Sequence, residues 1–376
     1  MSENPLRKLQ EFGQSIWLDF IDRRLIQSGG LQHLIVEDGL RGITTNPSIF
    51  DNAVEGSDAY DDSIRQAALQ GMSVEEICRL ITTEDVRRAA DLFRPVYDEL
   101  DGRDGFVSLE VNPHFAHNVP ATMDEARSLR AILDRPNVFI KVPATFEGLQ
   151  CIRKLTAEGI NVNVTLLFGL KRYRMVAEAY ISGLEDRAAA GLSLDRAASV
   201  ASFFLSRIDV LVDRILEEFI PRGEKPARHL RGRTAISCAK IAYNIYKEAF
   251  SGERFLKLAR LGARAQRVLW ASTSTKNPDY PDTKYVEALI GPDTVNTMPM
   301  ETLEAYRDHG DPAPRLEPDL GEAYDNLKRL ADLSIDIEKV ASQLEEEGIE
   351  KFNKPYDSLI ACLERKRSDF CLSRAC

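Results

Sequence analysis

Metal-binding cysteine pairs, long apolar runs and basic tracts are all missing from this chain of 376 residues. The six cysteines, Cys78, Cys151, Cys238, Cys362, Cys371 and Cys376, never stand as CxxC, and the five histidines do not join them at metal-ligand spacing. A metal site is therefore not expected from the sequence pattern. Scattered cysteines fit a reducing compartment, so we expect a cytoplasmic protein in which Cys371 and Cys376, close to the C-terminus, are incidental. No window is apolar enough to span a membrane, and the polar residues 1–10 lack the apolar core of a signal peptide. Basic clusters such as Lys171-Arg172-Tyr173-Arg174 are short and the net charge is −10, which argues against nucleic acid as a partner. A few converging basic side chains can still bind a small phosphate. Internal repeats and low-complexity segments are absent too. So is any GxGxxG turn, which weakens a doubly wound sheet.

What the chain does have is 44% apolar residues, enough for a sizeable core, arranged as short runs between helical stretches. Strand-like runs lie at 15–20, 42–45, 105–111, 138–142, 161–167, 199–204, 268–272 and 294–297. Apolar residues at three-and-four spacing predict helices over 168–190 and 208–219. Ser73 with Glu76, and Thr122 with Glu125, have capping-box spacing, and Gly159 and Gly191 stand where helices are expected to end. Alternation of strands and helices implies a parallel sheet, and eight such units imply a closed (β/α)₈ barrel of the TIM type. Residues 1–376 are read as a single barrel domain. Residues 51–103 are too long for a simple crossover and read as inserted helices after the second strand. Residues 300–376 read as a helical extension, with helices over 320–333 and 334–367.

The end of nearly every strand-like run carries a polar residue. Lys141 lies in Val138-Phe139-Ile140-Lys141-Val142, which otherwise reads as a buried strand. Burial disfavours the ammonium form, and a neutral amine is a nucleophile that can attack a carbonyl. Asp19, Asn46, Glu110, Asn163, Thr165, Ser202, Ser272 and Asn296 occupy or end the other runs. Taken singly, each has an ordinary explanation. Lys141 could snorkel, Asp19 could cap a helix, Asn46 before Pro47 is a common turn residue, and Thr165 suits a strand. Together they would converge on the C-terminal mouth of one barrel, where such folds do their chemistry. One amine, two carboxylates, amides and hydroxyls suit carbonyl chemistry through an imine, which needs a proton shuttle and a base.

These segments resemble the transaldolase family. The likeness is carried by Trp17-Leu18-Asp19, Gly42-Ile43-Thr44-Thr45-Asn46-Pro47-Ser48-Ile49-Phe50, Val107-Ser108-Leu109-Glu110-Val111, Ile140-Lys141-Val142-Pro143-Ala144-Thr145 and Asn161-Val162-Asn163-Val164-Thr165-Leu166-Leu167-Phe168. It runs past Asn296-Thr297-Met298-Pro299, and the tail fits the long-chain bacterial type. The resemblance implies a metal-free Schiff-base enzyme of the non-oxidative pentose phosphate pathway. It would move a dihydroxyacetone unit between sedoheptulose 7-phosphate or fructose 6-phosphate and glyceraldehyde 3-phosphate or erythrose 4-phosphate. Lys141 would form the imine. Glu110 and Thr165 would hold the water that shuttles protons, and Asp19 would be the base for carbon–carbon cleavage. Asn46, Asn163 and Ser202 would bind the dihydroxyacetone unit; Arg207, Ser272 and Lys276 would bind phosphate, with Arg233 a weaker candidate. Relatives are monomers or homodimers. The chain departs from the best-known branch by using Lys276 in place of an arginine. Two other readings stand beside this one. Aldolases of the same superfamily release free dihydroxyacetone and hold their water with a glutamine and a tyrosine, where this chain has Glu110 and Phe204. A barrel without catalysis would act as a sugar-phosphate binding protein.

Overall fold

The computed structural model describes residues 4–372. Eight parallel strands close a barrel in sequence order: β1 (Gln14–Asp19), β2 (Gly42–Thr44), β3 (Phe106–Glu110), β4 (Val138–Pro143), β5 (Val162–Leu167), β6 (Ser199–Phe204), β7 (Arg267–Ala271) and β8 (Thr294–Met298). β8 pairs with β1 from Gln14↔Thr294 to Leu18↔Met298, which completes the ring. The expected (β/α)₈ barrel is thus observed, and all eight strand-like runs fall on strands. They were legible because parallel strands covered on both faces are written as short continuous apolar runs.

The barrel interior is layered. Side chains two apart on a strand share a face, so Trp17, Phe106 and Phe139 stack below Asp19, Glu110 and Lys141. The aromatic trio fills the N-terminal end, with Phe106 and Phe139 stacked at 4.2 Å between ring centroids. Trp17 leans over Gly42, where a Cβ would lie 2.5 Å from the indole. The indole N–H is satisfied by Asp104 at 2.9 Å. An apolar floor thus leaves the polar residues at the C-terminal mouth.

Three helices, Pro47–Glu55, Asp61–Leu69 and Val74–Glu99, separate β2 from β3. Ser73 and Glu76 form the capping box that opens the long one. Arg23, just after β1, is buried against that helix, donating to Asp85 and Glu84 at 2.9 Å each. Three more helices follow β8: Met300–His309, Leu320–Asp332 and Ile337–Leu372. The last crosses the C-terminal mouth, packing on the helix Pro47–Glu55 and on β5. Among the described residues, no helix is long and apolar enough to cross a membrane.

Two local expectations need correction. Thr122 and Glu125 do not open a helix. The helix Val119–Leu133 starts a turn earlier, capped by Asn118 with a proline in its first turn, a stronger start signal. Thr122 instead bonds Phe115 O at 2.8 Å, and Glu125 accepts from Asn112 N at 2.6 Å. The last helix also begins three residues later and runs further than 334–367. Four cysteines are buried thiols; burial pushes that of Cys78 up to about 12 and that of Cys151 to about 11, so neither is poised to react. Cys371 is exposed near the end of the last helix, and Cys376 lies outside the described residues.

The helix Phe146–Glu158 starts directly behind β4. Its Gly148 sits so close to the strand that a Cβ would lie 1.9 Å from Pro143 O, a backbone atom. Gly148→Ala must therefore displace the end of the strand that carries Lys141. We expect a loss of about 1–3 kcal/mol in stability, read by urea unfolding; an unchanged midpoint would contradict this packing.

Candidate active site

Strand register sets the centre of the site. Glu110 on β3 is opposite Lys141 on β4, which is opposite Asn163 on β5. Lys141 is buried, with 4% of its surface exposed. Its Nζ donates to Glu110 Oε1 at 2.7 Å and to Thr45 O at 2.5 Å. The sequence pattern points to a buried lysine; the structure adds the carboxylate that makes the burial tolerable. Breaking such a pair would leave one uncompensated buried charge. Burial pushes the Glu110 carboxyl above the usual carboxylate range, opposed by the Lys141 charge and by hydrogen bonds from Lys141 and Thr45. Thr45 Oγ1 lies 2.6 Å from Glu110 Oε2 and 2.9 Å from Ser108 O, so its single proton is shared between them.

Asp19, at the end of β1, accepts from Thr44 Oγ1 at 2.7 Å. Thr44 in turn lies 2.7 Å from Thr297 Oγ1. A hydroxyl has one proton to give, so Thr297 donates to Thr44 when Thr44 donates to Asp19. Asn46 caps the helix Pro47–Glu55 through its carbonyl, bonding Ile49 N at 3.2 Å. That fixes the amide and leaves its NH₂ near Asp19 Oδ2, at 3.5 Å. One layer down, Ser202 donates to Asn163 at 2.7 Å and Asn163 donates to Ser108 at 3.0 Å, a bridge across β6, β5 and β3.

Two adjoining spaces open here. The larger is a cleft whose lining includes Asp19, Asn46, Lys141, Ser202, Arg207, Ser272 and Lys276. Beside it, a small recess is lined by Glu110, Lys141, Thr165 and Phe352 among others. The Thr165 hydroxyl is buried there without a protein partner. β5 slips register between Val164 and Leu167, and Leu166 takes φ 56°, a strained conformation for a bulky residue. Ser272, at the end of β7, has φ 55° and shares a hydrogen bond with Ser206 at 2.9 Å. Strain thus flanks the site on two strands.

Arg207 is the cleft's clearest unmet demand. Its Nη1 is buried with no partner, and burial pulls its pKa below the usual arginine value, partly offset by the charge of Glu347. Lys276 donates to Ser274 at 2.6 Å nearby. Three candidates fall outside. Asn163 is fully buried and lines neither space, its amide engaged by Ser202 and Ser108. Arg233 pairs with Glu322 at 3.0 Å on the surface and lines neither the cleft nor the recess. Asn296 points away from the interior, because its neighbour Thr297 faces inward. Sequence reasoning missed Thr44, Thr45, Thr297 and Ser274, which look like ordinary strand and loop residues. It also missed Lys351 and Phe352, which the last helix brings to the cleft.

A phosphate-sized anion satisfies an orphaned guanidinium better than water does. Inorganic phosphate at tens of its Kd should raise the melting temperature by mass action, worth about 2 kcal/mol. Arg207→Met should lose most of that gain; an equal gain in the variant would contradict an anion seat at Arg207.

Comparison with known proteins gives the same direction. The family model described as transaldolase/fructose-6-phosphate aldolase matches residues 16–363. The chain is 48% identical over 363 residues to the transaldolase of Acidothermus cellulolyticus, covering 96% of each chain. It is 46% identical over 358 residues to that of Thermobifida fusca, covering 95% of this chain and 96% of the relative. Against the transaldolase of Thiobacillus denitrificans it is 45% identical over 358 residues, covering 95% and 99%. A closed eight-stranded barrel, a lysine and carboxylates at its mouth, and likeness along nearly the whole chain agree: this protein belongs to the transaldolase/fructose-6-phosphate aldolase family.

Proposed function

We propose that the protein is a transaldolase, moving a dihydroxyacetone unit from a ketose phosphate to an aldose phosphate through an imine on Lys141. The observation that carries this reading is the Lys141–Glu110 pair at 2.7 Å, opening on a cleft that also holds Asp19 and the unpartnered Arg207. Glu110 takes a proton from the amine, and Lys141 attacks C2 of sedoheptulose 7-phosphate or fructose 6-phosphate. Water must leave the resulting carbinolamine. Glu110 and the free Thr165 hydroxyl suit holding the water that relays those protons, because both border the same recess. The imine then serves as the electron sink. Asp19 accepts the C4 hydroxyl proton as the C3–C4 bond breaks, and the bonding pair moves into the enamine. The Thr297–Thr44 relay and the Asn46 amide orient the Asp19 carboxylate for this step.

The enamine is the intermediate to be kept from water. Asn46 and Ser202, which border the cleft, hydrogen-bond its hydroxyls, with Asn163 holding Ser202 from behind, while Arg207, Ser272 and Lys276 hold the phosphate end. A second aldose phosphate, glyceraldehyde 3-phosphate or erythrose 4-phosphate, enters, and Asp19 returns the proton as the new bond forms. Phe204 lines the cleft where a tyrosine hydroxyl would otherwise help a catalytic water, which favours transfer over release of free dihydroxyacetone.

Fructose 6-phosphate with erythrose 4-phosphate should give sedoheptulose 7-phosphate. Without the acceptor, little free dihydroxyacetone should form. Free dihydroxyacetone without acceptor would make the protein an aldolase, and no conversion by folded protein would make it a binding protein. Glu110→Gln should lower kcat/KM by about 10²–10⁴-fold. Because the Glu110 pKa is raised, the wild-type rate should fall on acidification at a pH above the ordinary glutamate range, as the base form is lost. The variant should lack that acidic limb; a profile that keeps it would assign it to another group. Asp19→Asn should still form the imine while cleavage collapses.

A further inference from the structure

The helix Ile337–Leu372 brings a cation to the cleft. Gly348 seats it on β5, where a Cβ would lie 2.9 Å from Leu166 Cδ2. Phe352 is buried, 8% exposed, and lines both the cleft and the recess. Those contacts fix its neighbour Lys351 on the cleft wall that also includes Arg207, Ser274 and Lys276. Gln343, Glu347 and Lys351 follow at four-residue spacing, the spacing of neighbours on one helix face. Gln343 donates to Glu347 Oε1 at 2.8 Å, and Lys351 Nζ donates to Glu347 Oε2 at 3.2 Å. The Glu347 charge also reaches Arg207. Glu347 therefore pairs directly with Lys351 and lies within electrostatic reach of Arg207 and Arg214.

We propose that Lys351 is a phosphate-binding residue for the sugar-phosphate substrates, and that Glu347 positions it and competes for it. This rests on the transaldolase reading above. The Lys351 and Glu347 side chains are 51% and 40% exposed, so their ion pair is weak and exchanges readily. A phosphate bears more charge and more acceptor oxygens than a carboxylate. It can draw the long, flexible lysine from its helical neighbour. Arg207 supplies a planar fork from one side and Lys351 a mobile point charge from the other. The helix thereby covers the mouth and contributes to recognition of the phosphate.

The test is a partition experiment with fructose 6-phosphate as donor, and erythrose and erythrose 4-phosphate competing as acceptors in one tube. The ratio of sedoheptulose 7-phosphate to sedoheptulose reports phosphate recognition and is insensitive to the fraction of protein folded. Lys351→Met should lower that ratio by about three- to tenfold, the range for a half-exposed charged contact. Lys351→Arg should restore most of it. Glu347→Gln, which frees the lysine, should raise it. An unchanged ratio in Lys351→Met would overturn the proposal. So would a fall in both Lys351→Met and Glu347→Gln, since that marks an ion pair that only holds the helix. The reading beneath the proposal fails separately: Lys141→Ala that still formed either product would remove the imine itself.

Discussion

A charged pair held at the mouth of an apolar barrel organises everything else. Lys141 and Glu110 face each other across β3 and β4 at 2.7 Å. Each would be costly to bury alone. Their strands are parallel neighbours in a closed ring, so the distance is set by strand register. The aromatic floor of Trp17, Phe106 and Phe139 shuts the other end of the barrel and keeps water from reaching the pair from below. Thr45 then lends its carbonyl to the amine and its hydroxyl to the carboxylate, so the pair is satisfied within the protein, with Lys141 bordering the cleft and both groups bordering the recess.

The two carboxylates of the site are supported differently, and the difference matches a division of labour. Glu110 is buried beside a cation and raised by burial. Among the described residues, Asp19 has no cation at hydrogen-bond distance. It is oriented by the hydroxyls of Thr44 and Thr297 and the amide of Asn46. Two acids in unlike surroundings can serve proton relay in one step and base catalysis in another. The helix Ile337–Leu372 completes the enclosure from above, resting on the strained Leu166 through Gly348.

Most of the barrel could be read from the chain because each buried parallel strand is a compact apolar run, and its polar last residue is a local signal. Asp19 and Glu110 belong to that legible class, and Lys141 and Ser202 are legible as polar interruptions inside such runs. What could not be read depends on contacts far apart in sequence. Nothing near Lys351 marks it as a neighbour of Arg207, and the Thr297–Thr44 contact joins residues 253 apart. Asn296 misled because one position along a strand reverses the side chain's face. Thr122 misled because Asn118 and Pro120 offered a better helix start four residues earlier. The polar mouth was legible as composition at strand ends; its hydrogen-bond order was not.

The most direct test of this account is chemical trapping. The protein is incubated with fructose 6-phosphate, reduced with borohydride, digested and mapped by mass spectrometry. The account predicts one stable adduct, on the peptide containing Lys141, with a mass increase matching a reduced dihydroxyacetone unit. Modification spread over surface lysines, or no adduct under conditions that support turnover, would contradict an imine at the centre of the barrel.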